Sequence, residues 1–322
     1  MDEIIDKLLH SSETSIRFRV KTDILGENYE SSAIKKLQTD IKSSSRVTLL
    51  LSERDKDGRI PYHAYAKWYG AHWVLASLAD IGYPLGDKAL IPLREQVYSW
   101  LFSAEHEKKI KAIQGRVRRC ASQEANAVYY LCHLGLADAR TDELVERLLK
   151  WQWPDGGWNC DKNPHARHSS FMESLIPLRS LVQYSKQTGD KDAKATAEQA
   201  AEIFLKRKLF RRQHGGAIIK DDFVKLHYPC YWHYDILFGL KVMAEAGFIK
   251  DERCEGALAL LESKQLPEGG FPAEKKYYQV TDNKKRSGRS LVDWGGTSKR
   301  RANEFVTVDA LYVLKEAGRL SV

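Results

Sequence analysis

Five stretches of this chain share one pattern. Apolar residues recur at helical spacing around most of the circumference, and a glycine closes the run. WYGAHWVLASLADIG ends at Gly82, EANAVYYLCHLG at Gly135, FMESLIPLRSLVQYSKQTG at Gly189, HYDILFGLKVMAEAG at Gly247 and VTVDALYVLKEAG at Gly318. A helix that is apolar on most faces is predicted to be buried. The closing glycine predicts a left-handed C-cap, a conformation that side chains with a Cβ adopt only under strain. Four of these runs are followed by a more charged, one-sided stretch: KALIPLREQVYSWLFS, TDELVERLLKWQW, AKATAEQAAEIFLKRKLF and DERCEGALALLESKQ. Thr141 and Asp251 stand where N-caps are expected, because their side-chain oxygens can take a first-turn amide. Asp142, Glu143 and Glu252 then place negative charge where the helix dipole favours it. Leu144 and Cys254, three residues on, exclude a capping box closed by an acid.

Between a charged stretch and the next buried one lies a turn that recurs. Gln152-x-Pro154-Asp155-Gly156-Gly157-Trp158 matches Gln265-x-Pro267-Glu268-Gly269-Gly270-Phe271 position for position. Gln213-His214-Gly215-Gly216, Asp57-Gly58 and Gln114-Gly115 are looser copies. Marks spaced by roughly 40–60 residues have the period of an array whose unit is one supersecondary element. The glycines serve positive φ, and the flanking Gln and Trp or Phe are placed to bridge helix ends and pack on the next unit. The recurrence therefore reads as a repeat staple, since one active site needs no second copy. SIRFRVKTDIL and SSAIKKLQTDIKSS add a further helical hairpin within residues 1–45, ahead of repeats over 45–320. No alternating run is long enough for a sheet. The expectation is a single all-α domain over 1–322, in which about six helical hairpins close into a ring. An open solenoid would wet one side of the buried helices.

The Gln, the short gap, the Gly-Gly-Trp and the helical hairpin resemble the QW repeat of the squalene and oxidosqualene cyclases and of the related protein prenyltransferase β-subunits. The resemblance spans residues 45–320, with two good copies. It implies a divergent single-domain member with an (α/α)6 barrel, or toroid, built of repeated helical hairpins. It also implies an apolar, isoprenoid-type ligand enclosed in a central cavity, but it carries over no catalytic residue. The cyclases' Asp-x-Asp-Asp acid has no counterpart here. Asp221-Asp222, followed by Phe223 and Val224, fails the Asp-Asp-x-x-Asp pattern that holds magnesium diphosphate. The prenyltransferase zinc is held by Asp, Cys and a distant His. Cys160, Asp161, His168 and His233 supply those residue types without the motif's spacing, so no cofactor is predicted and zinc stands only as a minor alternative.

In such rings the N-terminal ends of the inner helices converge on one mouth, where their partial positive charges favour anionic groups. Glu124, Glu173, His233, Asp235 and Glu304 fall there as candidate acid–base groups, since crowding and burial bring such groups toward neutrality. Trp68, Trp232 and Trp294 are the expected aromatic wall, whose faces stabilise cationic intermediates. His72, Asn159, Cys160, Asp161, His168, His227, Tyr228 and Asn303 complete the expected pocket. The densest segment is HYPCYWHYD, residues 227–235. The first reading is a cyclase- or transferase-type terpenoid enzyme, with the catalytic step left open. Aromatics with paired carboxylates fit sugars equally well, so a carbohydrate-active toroid (hydrolase, lyase or epimerase) is the alternative. A non-catalytic scaffold that holds an anionic partner on basic loops is the third.

Composition changes this picture only at its edges. The chain has 322 residues and is 43% hydrophobic, ample for a large core. No apolar run approaches the ~18 residues of a membrane span, and MDEIIDKLLH lacks the basic-then-apolar order of a signal peptide. With five scattered cysteines and no Cys-x-x-Cys pair, the expectation is a cytoplasmic protein with reduced thiols and no integral membrane segment. The net charge of +8 sits in short clusters: Lys108, Lys109 and Lys111; Arg116, Arg118 and Arg119; Lys206, Arg207 and Lys208 with Arg211 and Arg212; Lys284, Lys285 and Arg286; Lys299, Arg300 and Arg301. Spread over connections rather than along one helix face, they read first as solvated surface, and nucleic acid is not the expected partner.

Overall fold

The computed structural model describes residues 2–283 and 286–320, so Lys284 and Lys285 of one basic cluster lie outside the described residues. The chain is all-α. Its helices are α1 (Asp2–Leu9), α2 (Thr14–Arg19, continued by a π-helical turn Val20–Ile24), α3 (Ser32–Lys42), α4 (Ser45–Leu50), α5 (Ala71–Asp80), α6 (Ile91–Leu101) and α7 (Ala104–Glu107). There follow α8 (Ala121–His133), α9 (Ala139–Trp151), α10 (Phe171–Thr188), α11 (Lys191–Leu205), α12 (Ile236–Glu245), α13 (Glu255–Glu262) and α14 (Glu304–Glu316). Extended structure among the described residues is limited to two-residue pairs, β1 (Ala112–Ile113) with β2 (Arg116–Val117) and β3 (Gln279–Val280) with β4 (Arg289–Ser290). No helix is long and apolar enough to cross a membrane, among the described residues.

The predicted buried stretches are α5, α8, α10, α12 and α14. Each buries residues on nearly every face, as the all-round apolar pattern requires. They pack in succession, α5 on α8, α8 on α10, α10 on α12 and α12 on α14. Helix α14 then packs on α2 and its π turn. Phe18 of α2 fills the space beside Gly82, where a Cβ would stand 2.3 Å from its ring. The charged stretches form outer helices, α6 on α5, α9 on α8, α11 on α10 and α13 on α12, and α3 covers α2 in the same way. Helix α1 packs on α2, and its Ile4 reaches the Gly269-Gly270 turn between α13 and α14. Buried apolar side chains from α1 through α14 form one contiguous core.

All five closing glycines are left-handed, with φ of 80° at Gly82, 65° at Gly135, 78° at Gly189, 82° at Gly247 and 72° at Gly318. One capping expectation is corrected. Asp138, not Thr141, is the N-cap of α9. Its carboxylate accepts from Arg140 N, and Thr141 Oγ1 accepts in return from Asp138 N. A hydroxyl, rather than an acid, closes this capping box. Asp251 does cap, accepting from Arg253 N.

The two strong turn copies make the same hydrogen bonds. Gln152 Nε2 donates to Gly156 O at 2.7 Å, and Gln265 Nε2 to Gly269 O at 3.0 Å. Trp153 N bonds Gly157 O, as Leu266 N bonds Gly270 O. Trp158 N is bonded to Ser174 Oγ at 3.0 Å, and Phe271 N to Thr307 Oγ1 at 2.9 Å. Ser174 and Thr307 each occupy the fourth position of the following buried helix. Trp158 and Phe271 are fully buried. A Cβ on Gly157 would meet Ile203 at 2.2 Å and Ser174 Oγ at 2.4 Å, so the docked turn excludes any larger residue. The looser copies are plain turns: Gln114-Gly115 closes β1–β2, and Gln213-Gly216 lies in an exposed hairpin.

Removing either hydroxyl leaves a buried amide without its partner. Ser174→Ala and Thr307→Val are each expected to lower unfolding free energy by about 1–3 kcal/mol, read as a shift in urea midpoint at constant slope. No shift in either would show that the turns are not pinned in this way.

Candidate functional site

The N-terminal ends of the buried helices carry a cluster drawn from three separate segments. Cys120 is the N-cap residue of α8. Glu173 sits in the first turn of α10. Cys160 lies two residues beyond Trp158, in the connection held by the Gly-Gly turn. Glu173 Oε2 accepts from Ser122 N at 3.1 Å, and the Cys160 thiol donates to Oε1 at 3.6 Å. Donor atoms of Cys120, Cys160 and Glu173 all lie within 4.8 Å of one another, and all three residues are half-buried. Desolvation pushes the Glu173 carboxyl above its ordinary pKa, against the hydrogen bonds from Ser122 and Cys160. The Cys120 thiol is raised by its hydrogen bond with Cys160 and then by burial.

A second layer stands behind this cluster. His106, brought in by the short α7, has Nε2 2.6 Å from Glu124 Oε1. Arg119 Nη2 reaches His106 Nδ1 at 3.0 Å and Gln123 Oε1 at 2.6 Å, and Arg119 Nε lies 3.5 Å from Glu124. Half-buried Tyr65 and Trp100 have ring centroids 5.2 Å apart, and Trp100 also packs edge-on to His63 at 5.5 Å. Tyr65 lies close to the cluster, since burial and then Gln123 and Glu173 are what perturb its phenol.

Several predicted site residues are instead committed to structure. Glu124 is fully enclosed, its Oε1 contacting His106 and Arg119, and it fastens α7 to α8. His72 is fully buried between Asn126 and Tyr130, and burial lowers its pKa to about 3, so it is a neutral core residue. Asp235 caps α12, accepting from Phe238 N and His227 N at 2.8 Å, with His227 Nδ1 2.6 Å away. His233 is stacked between Trp232 and Tyr277, at 4.0 and 3.4 Å, and burial lowers its pKa to about 3. Trp68 stacks on Tyr231 and donates to Tyr277 O, while Trp294 and Tyr228 pack with Phe305. Asn303 caps α14. Asn159 and Asp161 accept from backbone amides two residues on, and Asn159 also donates to His168 O. Asp161 and His168 are exposed.

The ligand set Cys160, Asp161, His168 and His233 is not assembled. Cys160 meets Cys120 and Glu173 instead, because Asp161 is spent on its own turn and His233 on its aromatic stack. Glu304 accepts from Ser11 and lines a separate surface opening of about 300 Å3 with Arg46 and Arg301.

The space between the buried helices is lined by charged groups rather than by the expected apolar wall. Arg19 and Lys241 both contact Asp309 at 2.6 Å. Arg179 meets Glu245 at 2.7 Å and Asp80 at 3.5 Å. The cavity left among Asn126, Tyr129, Arg179, Tyr228, Lys241 and Asp309 is about 30 Å3, room for little more than a water. Basic residues divide by burial. Arg118 and Arg119 are buried, Arg118 lying over the Trp153 ring at 4.3 Å. Arg207, Arg212 and Lys220 line an open groove of about 590 Å3 with His168 and His214.

His106, Arg119, Cys120 and Tyr65 went unrecognised as site residues. The signal available was the Arg119-Cys120 pair directly before a buried helix, hidden because the neighbouring arginines read as surface charge. The chain matches no protein-family model and no curated protein.

Burial would raise the Asp309 carboxyl, yet Lys241 and Arg19 hold it down at about 2. Unfolded, it titrates near ~3.9, so its stabilising contribution is complete above about pH 5 and is lost as pH falls toward 2. That contribution is about 2–3 kcal/mol. Asp309→Asn is expected to cost about 3–5 kcal/mol at pH 7 by leaving Lys241 without its carboxylate and Arg19 with Asp23 alone, and to flatten the acid limb of stability against pH. An unchanged limb in urea titrations would remove Asp309 as its source.

Proposed function

We propose that the helices close into an (α/α)6 toroid of the squalene-cyclase and prenyltransferase type, and that the protein is an enzyme working at the N-terminal mouth of this ring on an apolar, isoprenoid-type molecule. The succession of α5, α8, α10, α12 and α14, completed by α2 between α14 and α5, supports six inner helices. Helix α1, lying between α2 and the turn that precedes α14, takes the sixth outer place. With about 30 Å3 free among Asn126, Tyr228 and Asp309, the ligand lies across the mouth rather than down the centre. Its apolar body rests on Tyr65, Trp100 and neighbouring rings, whose faces favour developing positive charge.

The observation that carries this reading is Glu173. It is the one predicted acid–base residue that is desolvated, half-buried and grouped with reactive side chains rather than spent on a cap or a core ion pair. The thiols and carboxylate there supply the polar chemistry, and Arg119 and His106 position α8 beneath them.

A panel of prenyl diphosphates and polyprenes is expected to include at least one compound that perturbs tryptophan fluorescence saturably and is turned over. Glu173→Gln should lower that turnover by about 10²-fold or more without altering the melting temperature. Oligosaccharides binding in place of every isoprenoid would transfer the site to glycan chemistry. Undiminished turnover in Glu173→Gln would remove the assignment.

A further inference from the structure

We infer that Cys120, Cys160 and Glu173 form a binding site for a zinc-class divalent cation, with a coordination position left open at the mouth. Three donors arrive from the N-cap of α8, the connection after the Gly-Gly turn and the first turn of α10. Their donor atoms lie mutually within 4.8 Å, and no other His, Cys, Asp or Glu residues do so in threes among the described residues. All five cysteines are free thiols. Two thiolates select soft or borderline metals, and a carboxylate with them suits zinc rather than copper(I).

The convergence is enforced by backbone rather than by flexible side chains. Trp158 is bonded to Ser174 Oγ through its amide and to Ser170 N through its carbonyl. This ties the chain two residues before Cys160 to the turn that carries Glu173. On the other side, Arg118 pairs with Asn159 as an isolated bridge, placing the residues before Cys120 and Cys160 side by side. The Arg118 side chain donates to Ala166 O across the same connection. Ser122 N holds Glu173 Oε2 and leaves Oε1 turned toward the Cys160 thiol. Such outer hydrogen bonds orient ligands in metal sites. Arg119 lies close enough to act on Cys120 and offsets the negative charge that two thiolates and a carboxylate keep after a divalent ion binds.

Three protein donors fall one short of a tetrahedron, and all three residues are half-buried rather than sealed. An ion can therefore enter, and the fourth position takes water or a substrate atom, as in catalytic rather than structural zinc sites. The ion would polarise an oxygen bound there or supply an activated water, and Glu173 would then act as a ligand. For that use the inference rests on the reading of the mouth as the reactive site, but the binding of the ion does not.

The test is a cobalt titration of reduced, chelator-treated protein, with no isoprenoid present. One equivalent of Co2+ should produce the thiolate-to-cobalt charge-transfer band and the visible bands of a four-coordinate site, and Zn2+ should abolish both. Cys120→Ser and Cys160→Ser should each weaken Zn2+ binding by about 100-fold or more, and Glu173→Gln by about 10–100-fold. Cys254→Ser, a buried thiol elsewhere, should bind as the parent does. Melting curves of the metal-free variants establish that each is folded, and protection of two thiols from alkylation by Zn2+ gives a second readout in the parent. Absence of a stoichiometric band, or its persistence in the Cys120→Ser/Cys160→Ser double variant, overturns the site. Wild-type affinity in Glu173→Gln overturns the three-donor set. A site that binds metal in a protein that turns over no isoprenoid would keep this inference and defeat the proposed substrate.

Discussion

The structure depends on how two of its long connections are pinned to the buried helices that follow them. Twice, an amide just past a Gly-Gly turn is bonded to a hydroxyl at the fourth position of that helix, Trp158 to Ser174 and Phe271 to Thr307. The bond is short-range in space, but the spans it disciplines are 16 and 36 residues long. Glycine is required because the turn approaches so closely that even a methyl group collides. Once the turn is pinned, the aromatic after it has one place to go, and the residues beyond start from a defined point. Cys160 takes its position from this bond, from the Arg118–Asn159 bridge beside it and from its thiol's contact with Glu173.

Charge inside the helices is organised by a different rule. Arg19, Lys241 and Asp309, with Arg179, Glu245 and Asp80, face one another where an apolar lining would have left a void. Removing these groups from water is expensive, and their mutual attraction offsets that cost only when both signs are present together. The network therefore adds little net stability, yet it penalises any arrangement in which one helix is displaced from its neighbours. Arg19, Asp80, Arg179, Lys241 and Glu245 also line a space of about 350 Å3, together with Asp23, His133 and Lys315.

Much of the fold was legible in the sequence because its signals are local. Apolar spacing located the buried helices, and all five glycines that end them are left-handed. The matched Gln-to-aromatic turns proved equivalent down to their hydrogen bonds. The site was far less legible. Glu173 and Cys160 were recognisable as polar residues near helix starts, but Cys120 was not, and it joins them across 40 and 53 residues by a pairing of loops that no periodicity announces. His72, His227 and Asp235 looked chemical because their residue types are chemical. Burial and capping, which composition does not reveal, turned them into structure. The charged interior was hidden for a related reason: Arg19, Arg179, Lys241 and Asp309 are single polar residues in apolar helices, and nothing local shows that they meet.

The partnership between the segment 2–24 and α14 has a bearing on assembly. Arg19 contacts Asp309, Ser11 contacts Glu304 and Lys315 contacts Asp23 O, across sequence separations of 290, 293 and 292 residues. During synthesis the earlier partner emerges long before the later one, and Arg19, destined for burial, stays hydrated until α14 arrives. Closing such distant contacts raises contact order and slows the final step of folding. The intervening helical hairpins can form from near neighbours in the meantime. The architecture therefore couples fast local assembly to a late closure that only the complete set of helices permits.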